Sequence, residues 1–86
     1  MTNIQVINNW ISGKGGQSGS MRSTNGKLFS YELQIADVEK GVFQVYDYDI
    51  NTIEKMTGYR SMTTRQQLGL VTRILTNAQR VFEIHN

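Results

Sequence analysis

The sequence predicts an α+β fold: a three-stranded antiparallel sheet packed on a C-terminal amphipathic helix, with a short N-terminal helix. Three observations predict this: a hairpin signal at Asn25-Gly26, alternating apolar residues after it, and a helical apolar repeat over 64–80. With 86 residues, the chain is long enough for one small domain, 1–86, and too short for two. We therefore expect the sheet and the helices to share a single core.

The first segment, 3–12, is predicted to form a short helix. Thr2 and Gln5 have the spacing of a capping box, in which each side chain satisfies a free backbone donor. Apolar residues then recur every three or four positions, at Ile4, Ile7 and Ile11. Because these residues are β-branched, a strand is the open alternative.

Residues 12–20, SGKGGQSGS, are predicted to form a glycine-rich loop. A phosphate-binding loop of the Walker A type needs a glycine ahead of its Gly-Lys pair. Asn8 and Met21 occupy that position before the two Gly-Lys pairs of this chain. Two interpretations stay open: a flexible connector, or a ligand loop whose backbone amides form an anion nest with Lys14.

The segment 20–50 is predicted to contain the antiparallel sheet. One strand ends near Thr24, and Asn25-Gly26 supplies a tight turn before the next strand starts near Lys27. Alternation in that second strand predicts one face carrying Phe29, Tyr31, Leu33 and Ile35. After a turn at Gly41, the third strand, 42–50, is apolar on both faces, so we expect it to be central or covered by a partner.

The segment 64–80 has the clearest helical pattern. Thr64 and Gln67 repeat the capping-box spacing, which predicts that the helix begins at Thr64. The apolar side chains fall on one broad face: Leu68, Leu70, Val71, Ile74, Leu75, Ala78 and Val81. The tail VFEIH either completes this helix or forms a short edge strand.

Charge is unevenly distributed, although the formal net charge is only +2. Acidic residues concentrate between 32 and 54, whereas 55–80 contains basic residues and no acid. Arginines opposite the apolar helix face are typical of a solvated face or of a partner or nucleic-acid surface. The candidate binding residues are Arg65, Arg73, Arg80, Lys14 and Arg22. A possible interface lies on the acidic, tyrosine-rich third strand, at Tyr46, Asp47, Tyr48 and Asp49.

The sequence predicts no catalytic residues, no metal site and no cofactor. There is no cysteine, and the one histidine, His85, is a poor metal ligand by itself. A calcium-loop reading from Asp47 fails because Thr52 and Gly58 stand where glycine and glutamate are needed. No signal-like or membrane-length apolar segment is seen, which predicts a cytoplasmic protein without membrane association.

Three blocks carry a resemblance: SGSMRSTNGKLFSYELQIA at 18–36, the strand after it, and SMTTRQQ at 61–67. They resemble a group of short, uncharacterised proteins of tailed bacteriophages. The matching positions are Ser18, Gly19, Ser20, Thr24, Asn25, Gly26, Leu28, Ser30, Tyr31, Leu33, Ile35, Ser61, Thr63 and Thr64. The sequence departs from the pattern where Phe29 adjoins Leu28, since a polar residue is often found there. The resemblance implies a phage origin and attaches no activity.

These patterns lead us to expect a non-catalytic phage accessory protein. It would bind a host macromolecule, such as a host protein or defence complex, or self-associate as a homo-oligomer. The alternative is direct nucleic-acid binding through the basic helix face. A further alternative is an oligomeric protein that sequesters nucleotides, with the glycine-rich loop holding their phosphates.

Overall fold

Helices and strands follow one another along the whole chain, and the computed structural model describes residues 1–86. In chain order they are α1 (Asn3–Ile11), β1 (Gly16–Gln17), β2 (Met21–Thr24), β3 (Lys27–Ser30), β4 (Leu33–Glu39), β5 (Val42–Tyr46), α2 (Ile50–Thr57), α3 (Met62–Asn77) and β6 (Phe82–His85). The six strands form one sheet in the order β1 to β6, antiparallel except for the parallel pair β5–β6. The predicted α+β class is confirmed, whereas the prediction of three strands is wrong.

The predicted second strand is in fact two strands, because the chain reverses after Ser30. Ser30 pairs with Leu33 across a two-residue turn, in which Tyr31 adopts a φ of 53°. The reversal changes which positions face the core, so Leu28 and Ser30 are buried before it and Leu33 after it. The predicted apolar face is therefore wrong for Phe29 and Tyr31.

A β-bulge follows in β4. Leu28 opposes Ala36, but the next residue of β3, Phe29, opposes Gln34, so Ile35 is an extra residue on its strand. Ile35 and Ala36 are both fully buried. The bulge thus turns two consecutive side chains into the core.

Two strands lie outside the predicted sheet segment. Gly16–Gln17 pairs with β2, so part of the segment predicted as a loop forms an edge strand. The tail, for which helix and strand were both open, forms β6 beside β5. β5 is consequently flanked by strands on both sides, and β1 and β6 are the two edges of the sheet.

The predicted third strand, 42–50, ends early, and a helix that the sequence did not predict follows it. β5 stops at Tyr46, and Asp49 caps α2 by accepting a hydrogen bond from the Thr52 amide at 2.7 Å. A carboxylate at this position satisfies a free amide, which favours a helix start over a continued strand. Asp47 and Asp49 therefore lie in a loop and at a helix cap, and not on the predicted third strand.

The capping prediction is correct for α1 and wrong for α3. Thr2 and Gln5 form both hydrogen bonds of the capping box. α3 begins earlier than Thr64, because Ser61 is the N-cap and accepts from the Thr64 amide at 3.2 Å. The helix also ends at Asn77 and not at residue 80.

Trp10 links α1 to the sheet at the centre of the core. Its ring packs edge-on against Phe43, with centroids 5.0 Å apart, and its Nε1 donates to the Gly26 carbonyl at 2.7 Å. Gly26 and Asn25 both have positive φ, as the hairpin signal predicts. Buried residues of all three helices share one apolar cluster with the sheet. None of the three helices has the length and hydropathy that a membrane span requires.

Candidate functional site

A cleft of about 560 Å³ opens between the β3–β4 turn, the end of α2 and the start of α3. We call it the tyrosine cleft, and it is lined by Ser30, Tyr31, Glu32, Leu33, Met56, Thr57, Tyr59, Ser61 and Thr64. Its volume falls within the range of small-molecule sites. Its lining combines apolar walls with hydroxyl groups, as such sites usually do.

Tyr31 is held on the rim of the cleft by an unfavourable backbone conformation. Its φ of 53° lies in the left-handed region, which costs an L-residue with a Cβ about 1–2 kcal/mol. Glycine and asparagine are the residues that two-residue hairpin turns favour there. The Tyr31 amide is anchored by donating to the Ser20 carbonyl at 2.8 Å, while its side chain stays 55% exposed. The fold gains little from tyrosine at this position, which points to a use for the ring outside the core.

Tyr59 stands on the connector between α2 and α3. Gly58 ends α2 in the left-handed conformation, and the Tyr59 amide donates to Thr57 Oγ1 at 3.2 Å. Thr57 Oγ1 in turn donates to the Ile53 carbonyl at 2.7 Å, which ties the connector to a buried turn of α2. The Tyr59 side chain is 76% exposed, and Met56 beside it is 53% exposed. The backbone is fixed, so this apolar surface is presented in a defined place.

A chain of buried polar groups lies beneath the cleft. Ser30 Oγ lies 2.8 Å from Thr64 Oγ1, and these side chains are only 1% and 2% exposed. Ser30 also donates to Gln67 Oε1, and Gln67 Nε2 donates to Ser20 Oγ at 2.7 Å. Thr64 Oγ1 also lies 3.0 Å from Ser61 Oγ, within hydrogen-bond distance. Since every member has a partner, the network orients the hydroxyls at the cleft without an unsatisfied buried group.

The electrostatics of the cleft are set by a helix end and one carboxylate. The N-terminus of α3 carries the positive end of the helix dipole, and its first turn contains no acidic residue. Glu32 is the one carboxylate among the lining residues. The nearby Arg60 is engaged elsewhere, since it pairs with Glu54 at 3.5 Å and donates to Asn51 Oδ1 at 3.1 Å.

Arg65, one of the candidate binding residues, is bound within its own chain. Its Nη1 donates to Asp47 Oδ1 and to the Tyr48 carbonyl, both at 2.6 Å. These three residues line a smaller cavity of about 380 Å³, together with Asp49, Thr52 and Asn86. Arg65 of the basic helix and Asp47 of the acidic segment thus form an ion pair within one molecule.

The other basic candidates are spread over the surface. Arg73 lies on α3 and Arg80 lies beyond its end; both are exposed, and no carboxylate lies within 4.0 Å of either. Arg22, on β2, covers the Phe29 ring, with its guanidinium carbon 4.6 Å from the ring centroid. Lys14 is exposed on the glycine-rich segment, and its carbonyl accepts from Ser23 Oγ at 2.9 Å. The glycine-rich segment is therefore tied to β2 by hydrogen bonds as well as by strand pairing.

Tyr46 lies on the face of the sheet opposite the core. Its ring stacks on His85 and on Tyr48, and its hydroxyl donates to Asp37 Oδ2 at 3.0 Å. Burial, followed by the hydrogen bond to Asp37, raises the pKa of the Tyr46 phenol above its ordinary value. At the cap of α2, the hydrogen bond from the Thr52 amide lowers the pKa of Asp49. No cluster of three or more His, Cys, Asp or Glu side chains is placed to hold a metal ion.

Sequence reasoning missed the tyrosine cleft. Ser30, Tyr31, Ser61 and Thr64 belong to the blocks that carry the phage resemblance, and all four line the cleft. Ser20, from the same blocks, joins the buried network through Gln67. The sequence patterns assigned Tyr31 to a strand and Thr64 to a helix cap, because spacing along the chain does not show that β3 meets the start of α3.

Comparison with known proteins gives no relative from which a role could be transferred. No protein-family model matches the chain, and no curated protein or solved structure matches it either.

Proposed function

We propose that the protein is a non-catalytic binding protein, and that the tyrosine cleft takes a small molecule containing a nucleobase or a similar planar polar ring. One observation carries this proposal. Tyr31, in a strained backbone conformation, and the exposed Tyr59 line the same cleft above buried, oriented hydroxyls. Tyrosine rings stack on nucleobases with about 1–3 kcal/mol per base, and hydroxyl groups fix the polar edge of a ring.

The cleft lining favours reversible binding as its chemistry. It contains no histidine, lysine or cysteine, and Glu32 has no second carboxylate beside it in the lining. The uncompensated start of α3 suits an acceptor group or a phosphate of the ligand. The proposal keeps the nucleotide-sequestering alternative of the sequence and moves its site away from the glycine-rich segment, where the amides of Gly13, Lys14 and Ser18 already donate to carbonyls of the chain.

Thermal unfolding with a panel of nucleosides and nucleotides tests this proposal. A ligand that binds only the folded state raises the melting temperature. At a ligand concentration 100 times the dissociation constant, it adds about 2.7 kcal/mol to the free energy of unfolding. Tyr59→Leu should remove the increase because it removes the stacking ring, whereas Tyr59→Phe should retain it. An increase that survives Tyr59→Leu and Tyr31→Asn would place the ligand elsewhere.

A second function, binding of a host macromolecule or nucleic acid by the basic surface, is favoured by Arg73 and Arg80. Both are exposed and free of carboxylate partners. Arg65 contributes less, because it is held by Asp47. Nucleic-acid binding would weaken with salt, by about 0.9 log units per log unit of salt for each phosphate contacted. Arg73→Glu with Arg80→Glu should abolish it; unchanged binding would exclude this surface.

A further inference from the structure

β6 is an open edge strand with little of the usual protection against pairing. It is the last strand of the sheet, and Glu83, Ile84 and His85 are exposed. Ile84 is 51% exposed despite being apolar. Charged side chains, above all lysine, and also proline and bulges commonly protect edge strands. Residues 82–85 contain no lysine, proline or bulge, and Glu83 is their one acidic residue.

The hydrogen-bonding groups on the free side of β6 can be assigned from those on its paired side. The Val81 carbonyl accepts from the Phe43 amide at 3.2 Å, and the His85 carbonyl accepts from the Asp47 amide at 2.7 Å. Backbone groups alternate sides along a strand, so odd-numbered residues of β6 bond to β5. The N–H and C=O groups of Phe82 and Ile84 therefore point to the free edge.

We propose that a second copy of this chain occupies that edge, with the two β6 strands antiparallel about a two-fold axis at Ile84. Ile84 would then oppose Ile84 of the second copy and exchange two backbone hydrogen bonds with it. The pairing is isologous, so both copies use the same residues. It would join the two sheets into one continuous sheet twice as wide.

The side chains favour this register. It places Glu83 opposite His85 of the second copy, and His85 opposite its Glu83, so no like charges oppose each other across the axis. Within one chain, His85 Nε2 is hydrogen-bonded to Gln44 Oε1 and lies 3.9 Å from Glu83 Oε2, so the second copy adds a carboxylate beside an imidazole that the fold already holds in place. The two Ile84 side chains meet on the other face, next to Phe82, which packs against the core. A two-fold axis at Glu83 would instead oppose two carboxylates and use backbone groups already bonded to β5.

Light scattering after size exclusion tests this interface at concentrations up to about 1 mM. We expect a concentration-dependent rise toward twice the 9.8 kDa of one chain. Ile84→Lys should give the single-chain mass because it opposes two like charges across the axis. Val38→Lys is the matched control, since Val38 is an apolar residue 39% exposed on β4, away from the edge, and this variant should still dimerise.

Two experiments test the register: swapping the charges at positions 83 and 85, and measuring hydrogen exchange of the backbone amides. Glu83→Lys should weaken the dimer, and Glu83→Lys combined with His85→Glu should restore it. The Ile84 amide should exchange slowly with solvent at high concentration and rapidly on dilution, whereas the Glu83 amide should stay protected at both. A single-chain mass at every concentration, a dimer unaffected by Ile84→Lys, or an Ile84 amide indifferent to concentration would overturn the proposal.

Discussion

Ser30 Oγ, at the end of β3, lies 2.8 Å from Thr64 Oγ1, in the first turn of α3, although the residues are 34 positions apart in the chain. This contact joins the sheet to the helix at the floor of the tyrosine cleft. It explains why Thr64 does not cap α3: its hydroxyl is buried against the sheet, and Ser61 supplies the cap. The cleft is therefore part of how the helix docks, and its hydroxyls are positioned by the fold.

The contact between Ser30 and Thr64 should be visible as coupling in stability. Thr64→Val removes the hydroxyl and keeps the shape, so it should lower the free energy of unfolding by about 1–3 kcal/mol. Ser30→Ala should cost a similar amount, and the double variant less than the sum of the two. Urea unfolding of all four proteins measures this. Strictly additive losses would show that the hydroxyls act independently.

Replacing Tyr31 should separate stability from binding. Asparagine tolerates the left-handed backbone, so Tyr31→Asn should keep or raise the free energy of unfolding, by up to about 1 kcal/mol. The same variant should lose ligand binding. Lys40→Asn is the matched control, because Lys40 has a φ of 51° in another hairpin turn outside the cleft. Lys40→Asn should change the free energy of unfolding in the same direction as Tyr31→Asn, and it should bind the ligand normally. A loss of stability in Tyr31→Asn would mean that the ring supports the fold.

The ion pair between Arg65 and Asp47 should contribute little and respond to salt. Both side chains are about one third exposed, so solvent screens the pair and a value of about 0.5–1 kcal/mol is expected. Arg65→Gln and Asp47→Asn should each lower the free energy of unfolding by about this amount in low salt and by less in high salt. Equal losses at both ionic strengths would assign the effect to the hydrogen bond that Arg65 donates to the Tyr48 carbonyl.

The cap of α2 should make stability fall in acid. The Thr52 amide lowers the pKa of Asp49, so the folded state favours the ionised carboxylate. This contribution is present above the ordinary aspartate pKa and is lost as the pH falls through the lowered value. Asp49→Asn, which also caps helices, should reduce this acid dependence while preserving α2. A pH profile of urea unfolding identical to that of the wild type would contradict the assignment.

Local signals in the sequence predicted the local structure well. The Asn25-Gly26 turn, the capping box at Thr2 and the apolar face of α3 from Leu68 to Leu75 depend on residues close together in the chain. Ala78 and Val81, which the pattern also assigned to that face, lie beyond the helix and are exposed. The reversal at Tyr31 was not predictable from such signals, since tyrosine disfavours the backbone conformation it adopts there. Asp49 was read as a strand residue because β-forming residues precede it, whereas β5 ends at Tyr46 and Asp49 caps α2. Predicting the cleft would have required the knowledge that β3 meets α3 in the folded chain.

The most direct test of the account is a titration of the ¹⁵N-labelled protein with a nucleoside and its monophosphate, followed by NMR, with a sugar phosphate that lacks the base as the control. We predict that amide shifts will concentrate at 30–33 and 56–64, which line the cleft, and that the sugar phosphate will produce none there. Shifts confined to Arg73, Arg80 or Lys14, or no shifts with any nucleoside or nucleotide, would contradict the assignment of the tyrosine cleft as the binding site.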